Sequence, residues 1–218
     1  MYQYLFFDLD GTLTDSEEGI TKSVQAALKR FGIEVKDPHE LVPFIGPPLT
    51  SSFMGYYGFT EEQAQEAVAA FRSRYNTTGL FENRPYPGIE NVLASLKKEG
   101  KKLLTASSKP EPLVHRILEH FGLAPYFDLM AGAGEDERKA EKACVIENAI
   151  ERYGIPGEAR KEIVMIGDRR HDVEGAHRCG IDCLGVRYGF ANPGELEKAG
   201  ADYIVSTVKE METFLLTH

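Results

Sequence analysis

The stretch Tyr4-Leu-Phe-Phe-Asp-Leu-Asp-Gly-Thr-Leu-Thr14 decides the fold, because it joins a short apolar run directly to two carboxylates. The apolar residues 4–7 predict a buried strand, and Asp8 and Asp10 follow at its carboxyl end. Gly11 permits a sharp turn out of the strand. Two acids are costly to bury unless a cation compensates them, and ligands of open parallel sheets bind at this end of the strands. The stretch therefore predicts a metal-assisted site at the edge of a sheet.

Two different patterns follow this stretch along the chain. Residues 15 to about 80 have helical periodicity, with Ser16 and Thr60 as predicted helix N-caps and an irregular stretch at 37–59. Beyond residue 100, apolar runs alternate with amphipathic helices, which is typical of a parallel sheet with helices on both faces. We therefore predict an α/β fold with a doubly wound, mostly parallel sheet that is interrupted early by a helical insertion. The later predicted strands are residues 102–106, 126–130, 162–166, 182–186 and 201–205.

The composition argues against several classes of function. The 218 residues include 25 Lys and Arg against 34 Asp and Glu, which gives a net charge of −9. Such a charge disfavours binding to a nucleic-acid polymer or to an anionic membrane surface, although a bound metal ion can still attract a small phosphorylated molecule. The sequence has no apolar stretch of membrane-spanning length, no pattern of an export signal and an odd number of cysteines, so we expect a cytoplasmic protein with reduced thiols.

Several polar groups follow predicted strands and are expected to meet at one place. Right-handed crossovers put the carboxyl ends of all parallel strands at the same edge of the sheet. A lysine from the helix before the strand at 162–166, either Lys142 or Lys139, is within reach of that edge. The groups expected at the edge are Asp8, Asp10, Ser107, Ser108, Lys109, Asp168 and Asp172.

This set of groups fits phosphoryl transfer through an aspartyl phosphate. Carboxylates hold a hard divalent cation, for which Mg²⁺ is the expected ion, and one carboxylate can act as the nucleophile. A hydroxyl, a lysine and loop amides can bind the phosphoryl oxygens, while a second acid protonates the leaving group and then activates water. Each motif alone is weak, because Asp-x-Asp-Gly also occurs in ordinary turns. Their joint position after apolar strands is what favours a site.

The same residues resemble the four motifs of the haloacid dehalogenase superfamily. The resemblance covers the whole chain, including a helical cap inserted after the first motif. Within the superfamily the chain is most similar to the phosphoglycolate phosphatase group, and more closely still to a bacterial subgroup described as 5'-nucleotidase-like. It implies a Rossmann-like core domain of residues 1–14 and 84–218 and a cap domain of residues 15–83. The stretches that carry it are 8–13, 45–49, 84–88, 107–111, Lys142 and 167–172.

The resemblance also implies a role for each motif residue. Asp8 is expected to be the nucleophile and a Mg²⁺ ligand, and Asp10 the general acid and base, with its backbone carbonyl on the metal. Asp168 is expected to bind the metal directly, and Asp172 to support the metal-bound waters and the lysine. Ser107 is expected to bind the phosphoryl group, together with Ser108 and Lys109. The dehalogenases lack an acid at the position of Asp10, so this residue favours a phosphatase.

The identity of the phosphate-stabilising lysine is left open by the sequence. By its spacing in Lys-Ala-Cys-Val-Ile, Lys142 matches the family motif best. Lys139 lies close enough in the chain to take the same role. Lys109 can also approach the phosphate from the stretch after the second predicted strand.

We therefore predict a Mg²⁺-dependent phosphatase that hydrolyses a small phosphorylated metabolite, in the manner of a phosphoglycolate phosphatase, as a monomer or weak homodimer. The alternatives are a 5'-nucleotidase acting on nucleoside monophosphates, a phosphomutase similar to β-phosphoglucomutase, and a phospho-acceptor module without enzymatic activity. Gly46 of the expected cap and Arg84, where the chain returns to the core domain, are predicted to contribute to substrate binding. Gly46 would let the backbone approach the substrate closely.

Overall fold

The computed structural model describes residues 1–134 and 141–218. The chain divides into two compact units, a core unit of Met1–Thr14 with Pro85–His218 and an inserted unit of Asp15–Arg84. Within the described residues the strands are β1 (Tyr4–Phe7), β2 (Thr14–Asp15), β3 (Arg84–Pro85), β4 (Lys102–Pro110), β5 (Leu129–Ala133), β6 (Ile163–Gly167), β7 (Asp182–Val186) and β8 (Tyr203–Val205). The helices are α1 (Glu17–Arg30), α2 (Leu49–Tyr57), α3 (Glu61–Tyr75), α4 (Ile89–Lys98), α5 (Glu111–His120), α6 (Lys142–Tyr153), α7 (Arg170–Arg178), α8 (Glu195–Ala199) and α9 (Val208–Thr217).

The core unit contains a six-stranded sheet in the order β5-β4-β1-β6-β7-β8. Its neighbouring strands pair in parallel, with Tyr4 of β1 opposite Lys102 of β4 and Ile163 of β6. Because β1 lies between two strands that come much later in the chain, the strand order reverses beside it. In open α/β sheets this switch point is where ligands bind, at the carboxyl ends of the strands. The predicted α/β fold and mostly parallel sheet are confirmed.

The first strand is buried on both of its faces. Leu5, Phe6 and Phe7 are all completely buried. Successive side chains of a strand point to opposite faces, so both faces of the sheet are covered at this position. This explains why the stretch is a continuous apolar run rather than an alternating one. It also places Asp8 at the point where the dry core ends.

The inserted unit is helical, as expected, but two details differ from the sequence prediction. Thr60 accepts a hydrogen bond from Gln63 N–H and forms a complete capping box at the start of α3. Ser16 precedes α1, yet its side chain makes no capping hydrogen bond, so the prediction of a Ser16 cap was wrong in this respect. The stretch 37–59 is also more regular than predicted. It contains a 3₁₀ helix at Pro38–Phe44 and the helix α2, which ends at the left-handed Gly58.

Two predictions for the core unit need correction, and two helices were missed. The strand expected at 126–130 is displaced, because Ala124–Tyr126 forms a short 3₁₀ helix and β5 begins only at Leu129. The polar stretch 107–110 is not a loop, because β4 continues to Pro110 with a shift in pairing register between Ser107 and Pro110. The helices α8 and α9 were not predicted. Within residues 1–134 and 141–218, no helix has both the length and the apolar character that crossing a membrane requires.

Candidate active site

The ends of three neighbouring strands bring the predicted groups of the core unit together. Asp8 follows β1, Ser107 lies in β4, and Asp168 follows β6. Lys142 is the first residue of α6 and Asp172 lies in the first turn of α7. Because β1 is paired with both β4 and β6, the parallel arrangement aligns the carboxyl ends of all three strands.

Lys142 is the centre of a buried network of charges. Its Nζ lies 2.9 Å from Asp8 Oδ2 and 2.7 Å from Asp172 Oδ1, and it donates a hydrogen bond of 2.8 Å to the Ala106 carbonyl. Burial by itself would lower the pKa of the ammonium group, but the charges of Asp172 and Asp8 outweigh it and raise the pKa above the ordinary value. Lys142 is therefore a fixed positive charge beside the first carboxylate.

Three carboxylates form a group suited to a divalent cation. Ligand oxygens of Asp8, Asp168 and Asp172 all lie within 4.8 Å of one another. Asp168 is completely buried, and burial followed by the charge of Asp172 raises the pKa of its carboxyl well above the ordinary range. Burial likewise raises the pKa of Asp172 to about 6, although Lys142 opposes this. An all-oxygen donor set with more negative than positive charge fits a hard cation such as Mg²⁺.

The second carboxylate of the opening motif has a different partner. Asp10 Oδ2 lies 2.8 Å from Lys109 Nζ, and the side chains of both residues are mostly buried. Lys109 N–H also donates to Ser107 Oγ at 3.3 Å, and Ser107 is only 2% exposed. Ser108 is half-buried in β4 between these two residues. The two lysines therefore divide between the two carboxylates, Lys142 with Asp8 and Lys109 with Asp10.

Two glycines, Gly11 and Gly175, leave room for the carboxylate and lysine side chains of the site, and the sequence analysis predicted only the first of them. Gly11 has φ of +79°, and a Cβ on it would lie 2.1 Å from Asp168 Oδ2. A Cβ on Gly175 would lie 2.6 Å from Lys142 Cγ. Gly11 was predicted from its turn motif. Gly175 was not, although a glycine inside the amphipathic helix α7 is a recognisable signal of close packing.

Two predicted site residues belong to the inserted unit. Gly46 has φ of +105° and lies between the 3₁₀ helix and α2. Arg84 lies in β3, and its guanidinium is 2.8 Å from Asp15 Oδ2 within the same unit. Their roles in substrate binding stay predictions. The alternative lysine, Lys139, lies outside the residues that the structure describes.

Comparison with known proteins decides the family. Residues 5–186 match the model of the haloacid dehalogenase-like hydrolases. The chain belongs to this family of hydrolases. The match spans the core unit from β1 through β7 and so includes every strand end described above.

Three curated relatives of this haloacid dehalogenase-like hydrolase carry names of different activities. A 5'-nucleotidase of Pseudomonas aeruginosa is 41% identical over 100% of this chain and 97% of the relative. The tyrosine-protein kinase PtkA of Mycobacterium tuberculosis is 36% identical over 98% of this chain and 72% of the relative. A phosphoglycolate phosphatase of Aquifex aeolicus is 28% identical over 98% and 97%.

A solved structure of a predicted phosphatase from Clostridium acetobutylicum is also similar, with a TM-score of 0.94, 47% identity and complete coverage of both chains. Together with the family match, it confirms the prediction of a phosphatase of the haloacid dehalogenase type. The substrate and the individual residue roles are separate questions.

Proposed function

We propose that the protein is a Mg²⁺-dependent phosphatase that hydrolyses a small phosphomonoester through an aspartyl phosphate on Asp8. The observation that supports this most directly is the carboxylate group of Asp8, Asp168 and Asp172 with Lys142 between two of its members. A nucleophilic carboxylate must be ionised, partly accessible and adjacent to positive charge when a phosphate dianion approaches. The side chain of Asp8 is 13% exposed, whereas those of Asp172 and Lys142 are almost fully buried.

In the first step, a carboxylate oxygen of Asp8 attacks phosphorus and the bond from phosphorus to the leaving oxygen breaks. Lys142 and Ser107 stabilise the charge on the phosphoryl oxygens, and Asp10 donates its proton to the leaving oxygen. Asp8, Asp168 and the Asp10 carbonyl would hold Mg²⁺, Asp172 would support its bound waters, and the ion would neutralise charge on the phosphoryl group. This proposal assigns the proton transfer to Asp10 because it is the second acid of the same motif, two residues after Asp8, and does not share Lys142 with it.

In the second step, Asp10 accepts a proton from a water molecule whose oxygen attacks phosphorus. The acyl phosphate bond breaks, inorganic phosphate leaves, and the Asp8 carboxylate is regenerated. Asp10 thus ends the cycle protonated, as it began. Ser108 and Lys109 are proposed to complete the phosphate site, and Gly46 and Arg84 to contribute to recognition of the leaving group.

The test is hydrolysis of p-nitrophenyl phosphate with and without Mg²⁺. We expect turnover that depends on Mg²⁺, is abolished by EDTA and is lost in Asp8→Asn. The control is Asp202→Asn, at the amino end of β8, which should keep activity. Acid quenching of the wild-type reaction should trap a phosphorylated protein that hydroxylamine cleaves. Full turnover in Asp8→Asn, or turnover that is indifferent to Mg²⁺, would contradict the proposal.

Two substrate classes compete within this proposal. The sequence motifs resemble both phosphoglycolate phosphatases and 5'-nucleotidase-like proteins. A relative named as a 5'-nucleotidase shares 41% identity with the chain, against 28% for one named as a phosphoglycolate phosphatase. A phosphate-release screen over phosphoglycolate, nucleoside 5'-monophosphates and sugar phosphates separates them by kcat/KM. Conversion of a sugar phosphate to its isomer without phosphate release would favour the phosphomutase, and a stable phosphoprotein without turnover the phospho-acceptor module. A tyrosine-containing peptide belongs in the screen, because another relative is named as a tyrosine-protein kinase.

A further inference from the structure

The segment after β7 approaches the proposed metal site from a side that no sequence motif marks. Tyr188 donates a hydrogen bond of 2.9 Å to the carbonyl of Thr12. Two residues later, Phe190 N–H donates to Asp168 Oδ2 at 2.7 Å. One short segment therefore contacts both the turn that carries Asp10 and the carboxylate that follows β6. We call residues 187–190 the post-β7 segment.

The backbone of the post-β7 segment packs closely against Gly11 and Asp168 of the proposed metal site. A Cβ on Gly189 would lie 2.3 Å from the Gly11 carbonyl oxygen, 2.4 Å from Asp168 Cβ and 2.5 Å from Asp168 Oδ2. Real Cβ atoms are not found at such distances, so only glycine allows the segment to lie here. The fit is therefore specific to a chain that packs against both the Gly11 turn and Asp168.

The hydroxyl of Tyr188 is held in a defined orientation. Its ring packs edge-on against Tyr86, with centroids 4.9 Å apart and an angle of 66° between the planes. Burial raises the pKa of the phenol, so the group stays a neutral hydrogen-bond donor. At its other end, the segment is anchored to the sheet because Arg187 N–H donates to the Val205 carbonyl at 2.9 Å.

The metal-ligand loop is tied to the same part of the chain a second time. Glu195, at the start of α8, accepts hydrogen bonds from Arg169 Nε at 2.9 Å and from Arg170 N–H at 3.0 Å. These two residues immediately follow Asp168. The position of Asp168 is thus determined by contacts from the chain after β7 as well as by β6 itself.

We propose that Tyr188 is a positioning residue for the cation and for Asp10, acting through the Thr12 carbonyl and, with Gly189 and Phe190, on Asp168. This inference rests on the proposed function, since it concerns the same cation site. Thr12 lies two residues after Asp10, and Thr12 Oγ1 lies 3.4 Å from Asp168 Oδ1. A shift of the Thr12 backbone therefore affects the carboxylates of both Asp10 and Asp168. Catalytic and metal-ligand groups require positions accurate to a fraction of an ångström, which second contacts of this kind provide.

The decisive variant is Tyr188→Phe, because it removes one oxygen and keeps the ring against Tyr86. The matched control is Tyr126→Phe, whose hydroxyl donates to Glu90 of α4 at 3.1 Å. The first measurement uses Mn²⁺ in place of Mg²⁺ and no substrate. The electron paramagnetic resonance signal of the free ion gives the dissociation constant of Mn²⁺. We expect Tyr188→Phe to weaken Mn²⁺ binding about fivefold, the equivalent of one net hydrogen bond, and Tyr126→Phe to leave it unchanged.

The second measurement separates positioning from stability. With p-nitrophenyl phosphate at saturating Mg²⁺, Tyr188→Phe should lower kcat about fivefold or more and leave KM within about twofold. A purely structural role would lower the melting temperature without changing Mn²⁺ affinity or kcat. Gly189→Ala should weaken Mn²⁺ binding more than Tyr188→Phe does, and if it does not fold, the tyrosine pair decides alone.

The outcomes distinguish this inference from the proposed function. Asp168→Asn identifies the Mn²⁺ site, because it should abolish binding. The inference is overturned if Tyr188→Phe binds Mn²⁺ as tightly as the wild type, even when the wild type is an active phosphatase. It is also overturned if the wild type binds no Mn²⁺. A wild type that binds Mn²⁺ through Asp168 without hydrolysing any substrate contradicts only the proposed function, and weakened binding in Tyr188→Phe then still supports the inference.

Discussion

At the scale of single residues, the distribution of Lys142 and Lys109 over three carboxylates is the main electrostatic feature of the site. Lys142 contacts Asp8 and Asp172, whereas Lys109 contacts Asp10. A lysine beside the proposed nucleophile can also contact a phosphoryl oxygen that Asp8 attacks. A lysine beside the proposed proton-transfer group instead affects how that group is held. The two positive charges therefore have separable functions.

We expect Lys142→Met to lower kcat by about 10²–10³, the usual effect of removing one electrostatic stabiliser of a transition state. Lys109→Met, its matched variant, should lower kcat by less, because Lys142 still neutralises charge beside Asp8. Steady-state kinetics with p-nitrophenyl phosphate and Mg²⁺ provide the comparison. A larger loss in Lys109→Met would assign the phosphate-stabilising role to Lys109.

Lys142→Met should also change stability, which has to be measured alongside the kinetics. Removing one partner of a buried ion pair leaves uncompensated charge and costs about 3–5 kcal/mol. Saturating Mg²⁺ should restore part of this stability, because it supplies positive charge to Asp8 and Asp172. Denaturant unfolding with and without Mg²⁺ therefore checks that the kinetic loss is measured on folded protein.

Local sequence patterns predict the site residues that follow apolar strands. The positions of Asp8, Asp10 and Asp168 could be predicted from sequence, because they lie at or just after the end of an apolar run and parallel topology brings such ends together. Tyr188 and Gly189 could not, because they contact Thr12 and Gly11, which lie more than 150 positions away in the chain, and Gly189 also contacts Asp168. No local pattern marks such a long-range contact.

At the scale of secondary structure elements, the packing of α6 against α7 positions Lys142. Gly175 lies inside α7, where a Cβ would come within 2.6 Å of Lys142 Cγ and 2.7 Å of its Cβ. Glycine in a helix costs about 0.5–1 kcal/mol relative to alanine. At this position the helix gives up that stability because the lysine stem needs the space.

We therefore expect Gly175→Ala to reduce kcat at least tenfold by displacing Lys142, in spite of the better helix propensity of alanine. Gly55→Ala in α2 is the control, since nothing lies within 4 Å of a Cβ there and its backbone φ is not positive. That variant should gain about 0.5–1 kcal/mol of stability and keep full activity. Equal kinetics in the two variants would show that Gly175 does not position Lys142.

The starts of α1 and α3 allow a second comparison between elements. Thr60 forms a complete capping box, whereas the Ser16 side chain makes no capping hydrogen bond. Thr60→Ala should therefore cost about 1 kcal/mol, and Ser16→Ala much less. Urea unfolding followed by circular dichroism measures both variants. A Ser16→Ala loss as large as that of Thr60→Ala would contradict the assignment of the caps.

Element boundaries show why some sequence patterns were insufficient. The strands and helices with regular periodicity were predicted well, as for Ile89–Lys98 and Asp182–Val186, which have the bounds expected from their apolar spacing. The strand at 126–130 was wrong, because the aromatic pair Tyr126 and Phe127 has a high strand preference while Pro125 starts a 3₁₀ turn instead. The helix α2 was missed because Gly55 and the preceding prolines obscure its periodicity.

At the scale of the whole molecule, the core unit carries a concentration of negative charge that opposes its own folding. Burial raises the pKa values of Asp168 and Asp172, the latter to about 6, from an ordinary value of 3.8. A folded-state pKa above the unfolded value means that the folded chain binds more protons than the unfolded chain in this interval. The contribution of Asp172 to stability therefore falls as the pH rises from about 4 through 6, that of Asp168 falls from about 4 up to its own raised pKa, and both deficits persist at higher pH.

A divalent cation should reverse this loss, because it binds the deprotonated carboxylates and is absent from the unfolded chain. We expect saturating Mg²⁺ to raise the melting temperature by about 5 °C or more at pH 7.5 and by much less at pH 4.5. Because other titrating groups affect the chain equally with and without Mg²⁺, the difference between the two melting curves isolates the cation site. Asp168→Asn should lose the Mg²⁺ shift at both pH values, while Asp202→Asn, at the opposite end of the strands, should keep it. A shift of equal size at pH 4.5 and 7.5 would mean that the cation does not compete with protons for Asp168 and Asp172, and would place it elsewhere in the molecule.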